Sequence, residues 1–344
     1  STTTTTGHEI AAKKLPEGVS LIYCPLDFHF FVKATLDLLR PSMLVIFEVE
    51  IWPNLVTLAA NRRMPVALVN GRMSDQSAAG YAKHRWIFGD LFRRFTLFCM
   101  QTPDDVARVR RVVGDAVPVL ACNTMKFDQI PDTVGTDQGA LLARAFGPGE
   151  HRLWCAASTH PGEEALVLDA FRDLQTEFPE LRLILVPRHH ERAAEVERAL
   201  TDRAISYQRL VNPTSLSPAD VLLVNTTGEL MNLLAVSDLV FVGKSLAGNE
   251  GGHNIIEPAI FGKAIIHGPH MENFRRVAHL FKAADAVREV ARDQDLRDAV
   301  ADLLGDEAAR AELGRRARAV VDQQRGAIDK TLDQLLALDS DNGD

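Results

Sequence analysis

Short apolar runs alternate with segments of helical pattern along this chain, and this alternation constrains its fold more than any other feature. Ten runs have the length and composition of buried strands. They lie at 21–23, 43–47, 66–69, 97–100, 117–121, 153–156, 181–186, 221–224, 239–242 and 264–266. Strands that alternate with helices form βαβ units, so we predict an α/β fold with parallel sheets and two doubly wound, Rossmann-like domains.

The length of 344 residues exceeds what one hydrophobic core usually fills, which also indicates two domains. A boundary is predicted at 131–150, where Pro131 and the Gly147-Pro148-Gly149 run interrupt the periodic pattern. We therefore expect a domain at 1–130, a linker at 131–150, a second domain at 151–306, and C-terminal helices with a tail at 307–344.

The start of the chain has the composition of a strand entered partway. Thr2 to Thr6 are β-branched, and Gly7 would follow at a turn. Together with Ser1 in the first position, this predicts that a segment precedes the sequence and that the first domain is incomplete.

Composition excludes several classes of protein. Apolar residues make up 46% and charged residues 24%, which is globular, and no run approaches the ~18 apolar residues of a membrane span. We therefore expect a soluble chain. We also expect neither a disulfide framework nor a zinc site, because the four cysteines are scattered, at Cys24, Cys99, Cys122 and Cys155. No metal or other cofactor is expected.

The net charge of -8 conceals an asymmetry between the two halves. Residues 1–130 contain 15 Lys/Arg against 12 Asp/Glu, and residues 62–111 alone contain ten basic against four acidic residues. Such a stretch suits an anionic ligand or an anionic membrane face, or it is an ordinary solvated helical surface.

A glycine-rich loop at 243–254 follows a predicted strand, at the edge of the sheet where ligands collect in such folds. Glycines allow backbone amides to approach a ligand, and a following helix N-terminus offers N–H donors to a phosphate or carboxylate. Glu257 lies one turn after Asn254 and is placed to accept ribose hydroxyls. The alternative is a capping box in which Asn254 caps the helix and Glu257 bonds back to it.

Two other loops carry polar residues at predicted strand ends. Residues 158–164 include Ser158 and Thr159, and either Thr159 or His160 would cap a helix with Pro161 in its first turn. In residues 187–192, Arg188 can direct two N–H groups onto a phosphate, while His189 can donate a hydrogen bond. Because Asp293 and Asp295 lie in a helical context, we expect them to cap or solvate rather than to bind a metal.

The first half has its own candidates after two predicted strands. Glu48 and Glu50 would share one face if the strand geometry continued, which makes them candidates for acid–base chemistry or hydroxyl binding. The alternative is an ion pair with Arg72. Ser74 and Ser77 supply further polar groups on the same side of the predicted sheet.

Eight segments, taken in order, resemble the 3-deoxy-D-manno-octulosonic acid (Kdo) transferases of lipopolysaccharide synthesis, over roughly residues 1–285. The segments are 48–55, 70–77, 122–128, 158–164, 187–192, 228–230, 251–258 and 268–274. The resemblance implies a two-domain GT-B glycosyltransferase with a cleft between its domains. It further implies transfer of Kdo from CMP-Kdo to a lipid A precursor at the cytoplasmic face of the inner membrane, with inversion and without a metal.

The resemblance also assigns roles to residues. Arg188 would hold the CMP phosphate, and Glu257 would bind the ribose. The donor side would further include Ser158, Thr159, His189, Gly228, Glu229, Gly252, His253 and Asn254. The acceptor side would include Glu48, Glu50, Arg72, Ser74 and Ser77. The partners implied are CMP-Kdo, the lipid A precursor and an anionic membrane surface, with no nucleic acid.

Four departures from the family pattern affect this interpretation. The Gly-Glu that supplies the family's general base would lie upstream of Ser1, which leaves the catalytic base unknown and Glu50 as a possible substitute. Cys122 and Lys244 stand where the family has Gly, and Asn225 stands where it has Asp. Two alternatives therefore stay open: a GT-B enzyme for another nucleotide sugar, and a nucleotide-binding module without catalysis. We expect weak or no transfer by this chain.

Overall fold

The structure is a computed structural model that describes residues 1–48, 51–128, 138–210, 217–224 and 228–340. The chain forms two compact units. The first contains Ser1–Asp128 and the end of the chain from Gly326, and the second contains Gln129–Arg325. The C-terminal segment that the sequence suggested as one piece, 307–344, is thus divided between the units.

The first unit is a parallel sheet with helices on both faces. Its four strands are paired in the order β1-β2-β3-β4. The strands are β1 (Leu44–Phe47), β2 (Val66–Gly71), β3 (Leu97–Met100) and β4 (Val119–Ala121). The helices are α1 (Thr5–Lys14), α2 (His29–Leu39), α3 (Pro53–Asn61), α4 (Asp75–Lys83), α5 (Arg85–Phe92), α6 (Pro103–Val113) and, from the chain end, α15 (Ala327–Ser340).

Each face of this sheet has its own apolar core. On one face Phe92, Phe95 and Phe98 pack together, with 4.7 Å between the ring centroids of Phe95 and Phe98. On the other face Leu335 and Leu338 of α15 pack against a smaller cluster that includes the buried β2 and β3. A parallel sheet needs apolar cover on both sides, so α15 completes this unit.

A carboxylate fixes the start of α15. Asp128 accepts hydrogen bonds from the backbone N–H of Gly326 at 2.8 Å and of Ile328 at 2.7 Å. These are amides at a helix N-terminus that have no intrahelical partner, and a negative charge there is favourable. The segment 122–128, which contributes to the family resemblance, therefore has a structural role at its last residue.

The second unit contains seven parallel strands in the order β11-β10-β9-β5-β6-β8-β7. The strands are β5 (Arg152–Thr159), β6 (Leu181–Pro187), β7 (Tyr207–Leu210), β8 (Val221–Val224), β9 (Leu239–Val242), β10 (Ala264–His267) and β11 (Arg288–Glu289). The helices are α7 (Gln138–Phe146), α8 (Glu163–Gln175), α9 (Ala193–Asp202), α10 (Leu230–Val236), α11 (Ile256–Ile260), α12 (Arg275–Ala283), α13 (Leu296–Gly305) and α14 (Glu307–Gln324).

The central strand β5 pairs with β6 on one side and with β9 on the other. From β5 the chain builds outward through β6 to the edge strand β7, places β8 between β6 and β7, and then returns to add β9, β10 and β11 on the opposite side. The order of the sheet therefore reverses beside β5, and ligands of such sheets bind at the carboxyl ends of the strands around this reversal. Trp154, Phe171 and Phe241 are fully buried in the core that holds these strands in place.

The predictions for the start of the chain were wrong in detail. Residues 21–23 do not form a strand, since only one parallel bridge joins Thr2 to Tyr23. Thr4 accepts a hydrogen bond from the N–H of Gly7 and caps α1, so Gly7 lies inside a helix rather than at a turn. Side-chain capping by a threonine has outweighed the β propensity of the run.

Two short strands were not predicted, β7 and β11. Both are outermost strands of the second sheet, and β11 has only two residues, both exposed. Edge strands of this kind lack the continuous apolar run that identifies a buried parallel strand.

Candidate functional site

The loops that follow β5, β6 and β9 lie side by side at the carboxyl edge of the second sheet. Two backbone hydrogen bonds join them: the N–H of Arg188 donates to the carbonyl of Thr159 at 3.0 Å, and the N–H of Gly243 donates to Ala157 at 2.9 Å. Three separate segments of the sequence, 158–164, 187–192 and 243–254, therefore form one site.

Positive side chains gather at this edge. Arg188, His189 and Lys244 all exert a positive electrostatic effect on the imidazoles of His160 and His253. Within the residues that the structure describes, neither Arg188 nor Lys244 forms an ion pair. Two cations without an ion pair in the described part of the chain are an arrangement suited to an anionic ligand.

Three histidines pack against one another beside these cations. The Nε2 atoms of His160 and His253 lie 3.0 Å apart, and His189 contacts the His160 ring edge-on at 5.4 Å between centroids. Burial, with the neighbouring positive charges, lowers the pKa of both His160 and His253 to about 4. Both rings are therefore neutral near pH 7, and one donates its Nε2–H to the other.

Glu163, at the first position of α8, organises the glycine-rich loop from below. Its Oε2 accepts the N–H of His160 and of Lys244, both at 2.8 Å, while Oε1 accepts the N–H of Ser245 at 2.9 Å and of Leu246 at 3.0 Å. The side chain is fully buried, and burial raises its pKa while the four N–H groups act in the opposite direction. The sequence analysis did not identify this role of Glu163.

These contacts correct two predictions about the loops. The backbone amides of residues 244–246 bind Glu163 and are not available to a ligand. Neither Thr159 nor His160 caps α8, because Gly162 precedes the helix with φ +90° and no side-chain cap is present. Pro161 lies before the helix rather than in its first turn. The sharp turn at Gly162 leaves Glu163 free to bind the loop.

The paired glycines of the loop serve packing within the site. A Cβ on Gly251 would lie 2.6 Å from the side-chain amide of Asn273, and a Cβ on Gly252 would lie 2.3 Å from the sulfur of Met271. Both residues also have positive φ. In the structure these glycines allow close approach of residues 270–273, and their approach to a ligand stays a prediction.

Asn254 and Glu257 bond to each other, as the capping alternative predicted, whereas binding of ribose by Glu257 stays a prediction. Asn254 Oδ1 accepts the N–H of Ile256 at 3.1 Å, and its amide donates to Glu257 Oε1 at 3.2 Å, so the two side chains stabilise the start of α11. Burial raises the pKa of Glu257, and the charge of Arg188 opposes this effect. Glu257 therefore also belongs to the electrostatic environment of the cationic group.

The remaining donor-side candidates lie at the same edge. Ser158 has a φ of +56°, and the hydroxyl of Thr159 is buried without a hydrogen-bond partner in the described part of the chain. Glu229 follows β8 directly before α10, next to Gly228, and accepts a hydrogen bond from Asn232 at 3.1 Å. These residues are near the carboxyl ends of their strands, as the sequence predicted.

In the first unit the candidates have local structural partners. Glu48 has a φ of +62°, so the strand geometry ends at Phe47, and its carboxylate lies 3.6 Å from Arg72. Ser74 caps α4 by accepting the N–H of Ser77, and its hydroxyl donates to the hydroxyl of Ser77 at 2.9 Å. The ion-pair alternative is thus observed for Glu48, whereas Glu50 lies outside the described residues.

The described residues contain neither a side-chain cluster suited to a metal ion nor a helix suited to span a membrane. No group of three or more His, Cys, Asp or Glu side chains there is arranged to hold a metal ion. Asp293 accepts the N–H of Ala247 at 2.9 Å, and Asp295 pairs with Arg292. No helix in the same part of the chain has the length and apolar character needed to cross a membrane.

Comparison with known proteins identifies the family. A family model described as 3-deoxy-D-manno-octulosonic-acid transferase (kdotransferase) matches residues 1–129. The chain is 30% identical over 341 residues to the 3-deoxy-D-manno-octulosonic acid transferase of Haemophilus influenzae, a match that covers 97% of this chain and 78% of that protein.

Solved structures support the same assignment. The C-terminal CMP-Kdo binding domain of WaaA from Acinetobacter baumannii is 30% identical, with a TM-score of 0.50 over 54% of this chain and 96% of that domain. A UDP-N-acetylglucosamine 2-epimerase shares the fold at a TM-score of 0.53 and 10% identity, over 86% of this chain and 75% of that one. The fold is thus of the GT-B type, and the resemblance inferred from the sequence motifs is confirmed: the chain belongs to the 3-deoxy-D-manno-octulosonic acid transferase family.

Proposed function

We propose that this protein transfers Kdo from CMP-Kdo to a lipid A precursor, with Arg188 and the neighbouring histidines binding the donor. The observation that carries the proposal is that Arg188 and Lys244, at the carboxyl ends of β6 and β9, form no ion pair in the described residues. The C-terminal domain of WaaA from Acinetobacter baumannii, which is named for CMP-Kdo binding, is similar to this region. Glu257, one helical turn after Asn254, is the proposed acceptor for the ribose hydroxyls.

The proposed chemistry is an inverting displacement that needs no metal. The acceptor hydroxyl attacks the anomeric carbon of Kdo, and the bond from that carbon to the phosphate oxygen of CMP breaks. Charge then grows on the departing phosphate, where Arg188 would stabilise it. Removing one such donor costs about 10²–10³ in rate in comparable sites.

The acceptor hydroxyl must also lose a proton to a base. Glu48 is engaged by Arg72, which leaves Glu50 as the candidate within this sequence. Glu50→Gln is expected to abolish whatever transfer the chain shows, while CMP binding stays intact. Equal rates for both forms would remove Glu50 from the mechanism.

The first unit supports an anionic, lipidic acceptor. The basic excess in residues 62–111 suits the phosphates of a lipid A precursor and an anionic membrane face. Leu26, Phe28, Phe30 and Phe31, around the start of α2, are large apolar residues that are exposed. Apolar side chains beside basic ones are typical of surfaces that bind at a lipid interface.

Calorimetry with CMP tests the donor assignment. Wild type should bind CMP more tightly than UDP, and Arg188→Ala should weaken CMP binding by at least about tenfold, because a charged hydrogen bond to phosphate is lost. Arg172→Ala is the matched control, since Arg172 is a half-exposed arginine near the far end of α8.

The same experiment separates the alternatives. Preference for UDP would favour a GT-B enzyme for another nucleotide sugar. Unchanged CMP affinity in Arg188→Ala would contradict the role of this arginine. In a separate assay, measurable transfer of Kdo to a tetraacylated lipid A precursor would exclude a nucleotide-binding module without catalysis.

A further inference from the structure

Glu163 is the one fully buried carboxylate in the described residues that binds only backbone amides of two different loops. Three of its hydrogen-bond donors, Lys244, Ser245 and Leu246, belong to the loop after β9. The fourth donor, His160, belongs to the loop after β5. All four distances are between 2.8 and 3.0 Å. A single carboxylate thus joins the loop that carries His160 to the loop that carries Lys244.

The surroundings of Glu163 exclude other partners. A Cβ on Gly243 would lie 2.8 Å from its Oε2 and 2.6 Å from the carbonyl of Ser158, so the chain is closely packed around the carboxylate. Solvent does not reach the side chain. The adjacent Glu164 binds Arg192 in a bidentate pair instead, and so holds the segment after β6.

We propose that Glu163 is a positioning residue for donor binding: it fixes the backbone from which His160 and Lys244 project, without touching the ligand. This inference rests on the proposed donor site and adds to it a residue that acts through the loops. Lys244 has a φ of +62°, which L residues rarely adopt, and its N–H is one of the four that Glu163 accepts. The anchor therefore determines where the positive charge of Lys244 lies.

Glu163→Gln tests the proposal in the full chain. A glutamine offers one carbonyl oxygen, and its NH₂ group would face two N–H donors, so one pair of loop contacts is lost. The expected result is CMP binding weakened by about tenfold or more in calorimetry, and faster hydrogen exchange of the amides of residues 244–246. Asp169→Asn is the control on the same helix, since Asp169 pairs with Arg203 away from the loops.

The readouts distinguish positioning from general destabilisation. If Glu163 only stabilised the fold, the melting temperature would fall while the folded protein bound CMP with wild-type affinity, and the proposal would be overturned. Should Glu163→Gln fail to fold, Glu163→Asp carries the test, because it keeps the charge but cannot reach both pairs of amides. Wild-type affinity in Glu163→Asp, with unchanged exchange of the loop amides, would also overturn it. Absence of CMP binding by wild type would instead contradict the proposed function.

Discussion

The neutral pair formed by His160 and His253 predicts a loss of stability on mild acidification. Both groups have a pKa of about 4 in the folded protein against 6.5 for an ordinary histidine. The unfolded chain therefore binds protons below pH 6.5, while the folded chain does so only near pH 4. Stability is complete above pH 6.5 and falls as the pH decreases through this window.

The magnitude follows from the two pKa values. Between pH 7 and pH 5 each histidine lowers the free energy of unfolding by about 2 kcal/mol, and the pair lowers it by about 4 kcal/mol. Burial is the main cause that keeps these rings neutral. The charges of Arg188, Lys244 and His189 act in the same direction on both rings, and Arg192 acts on His160.

Urea unfolding at pH 7, 6 and 5 measures the effect. Trp154 is fully buried in the second unit, so a background with Trp52→Phe and Trp86→Phe reports that unit alone. His253→Gln keeps a nitrogen near the Nε2 position but cannot be protonated, and it should reduce the loss between pH 7 and 5 by about 2 kcal/mol. Parallel curves for wild type and His253→Gln would refute the reasoning, because titrating carboxylates are common to both.

Two further substitutions have defined outcomes. Lys244→Gly places the residue suited to φ +62° in the loop, so the free energy of unfolding should rise by about 1 kcal/mol while CMP affinity falls with the lost charge; denaturant unfolding and calorimetry give both signs, and a loss of stability would contradict the strain argument. Asp128→Ala removes the acceptor for two amides at the start of α15 and should cost about 1 kcal/mol. Faster hydrogen exchange confined to α15 is the expected signature, and unchanged protection there would contradict the capping role.

Much of the second unit was predictable from sequence, because its strands are long apolar runs that a parallel sheet buries on both faces. The strand ends also predicted which loops meet, since carboxyl ends of parallel strands share one edge of the sheet. The internal partners of those loops were not predictable. Glu163 and Gly162 look like the start of an ordinary helix in the sequence, and only the fold brings Glu163 beneath a loop 81 residues further on.

The same limit applies to the first unit. Glu48, Ser74 and Ser77 were identified by residue type after a strand, yet residue type does not distinguish a ligand from a cap or an ion pair. The choice depends on geometry, here the positive φ of Glu48 and the start of α4 at Asp75. The edge strand β7 was missed for a related reason, because its residues are mostly polar and only Leu210 is buried.

Carboxylates from outside the glycine-rich loop bind its backbone N–H groups, whereas the cationic side chains at this edge of the sheet form no ion pairs with them in the described part of the chain. Glu163, Glu272 and Asp293 come from three different elements, and they accept backbone N–H groups at residues 244–246, 251 and 247 of the loop. The backbone donors that would bind phosphate in a P-loop are thus used within the protein. On the proposed function, the anion is recognised by the side chains of Arg188 and Lys244. Because exposed side-chain charges are screened by ions, we expect CMP affinity to fall steeply between 50 mM and 500 mM salt. A site built on backbone amides would show a weaker dependence, so a flat salt titration in calorimetry would contradict this division of roles.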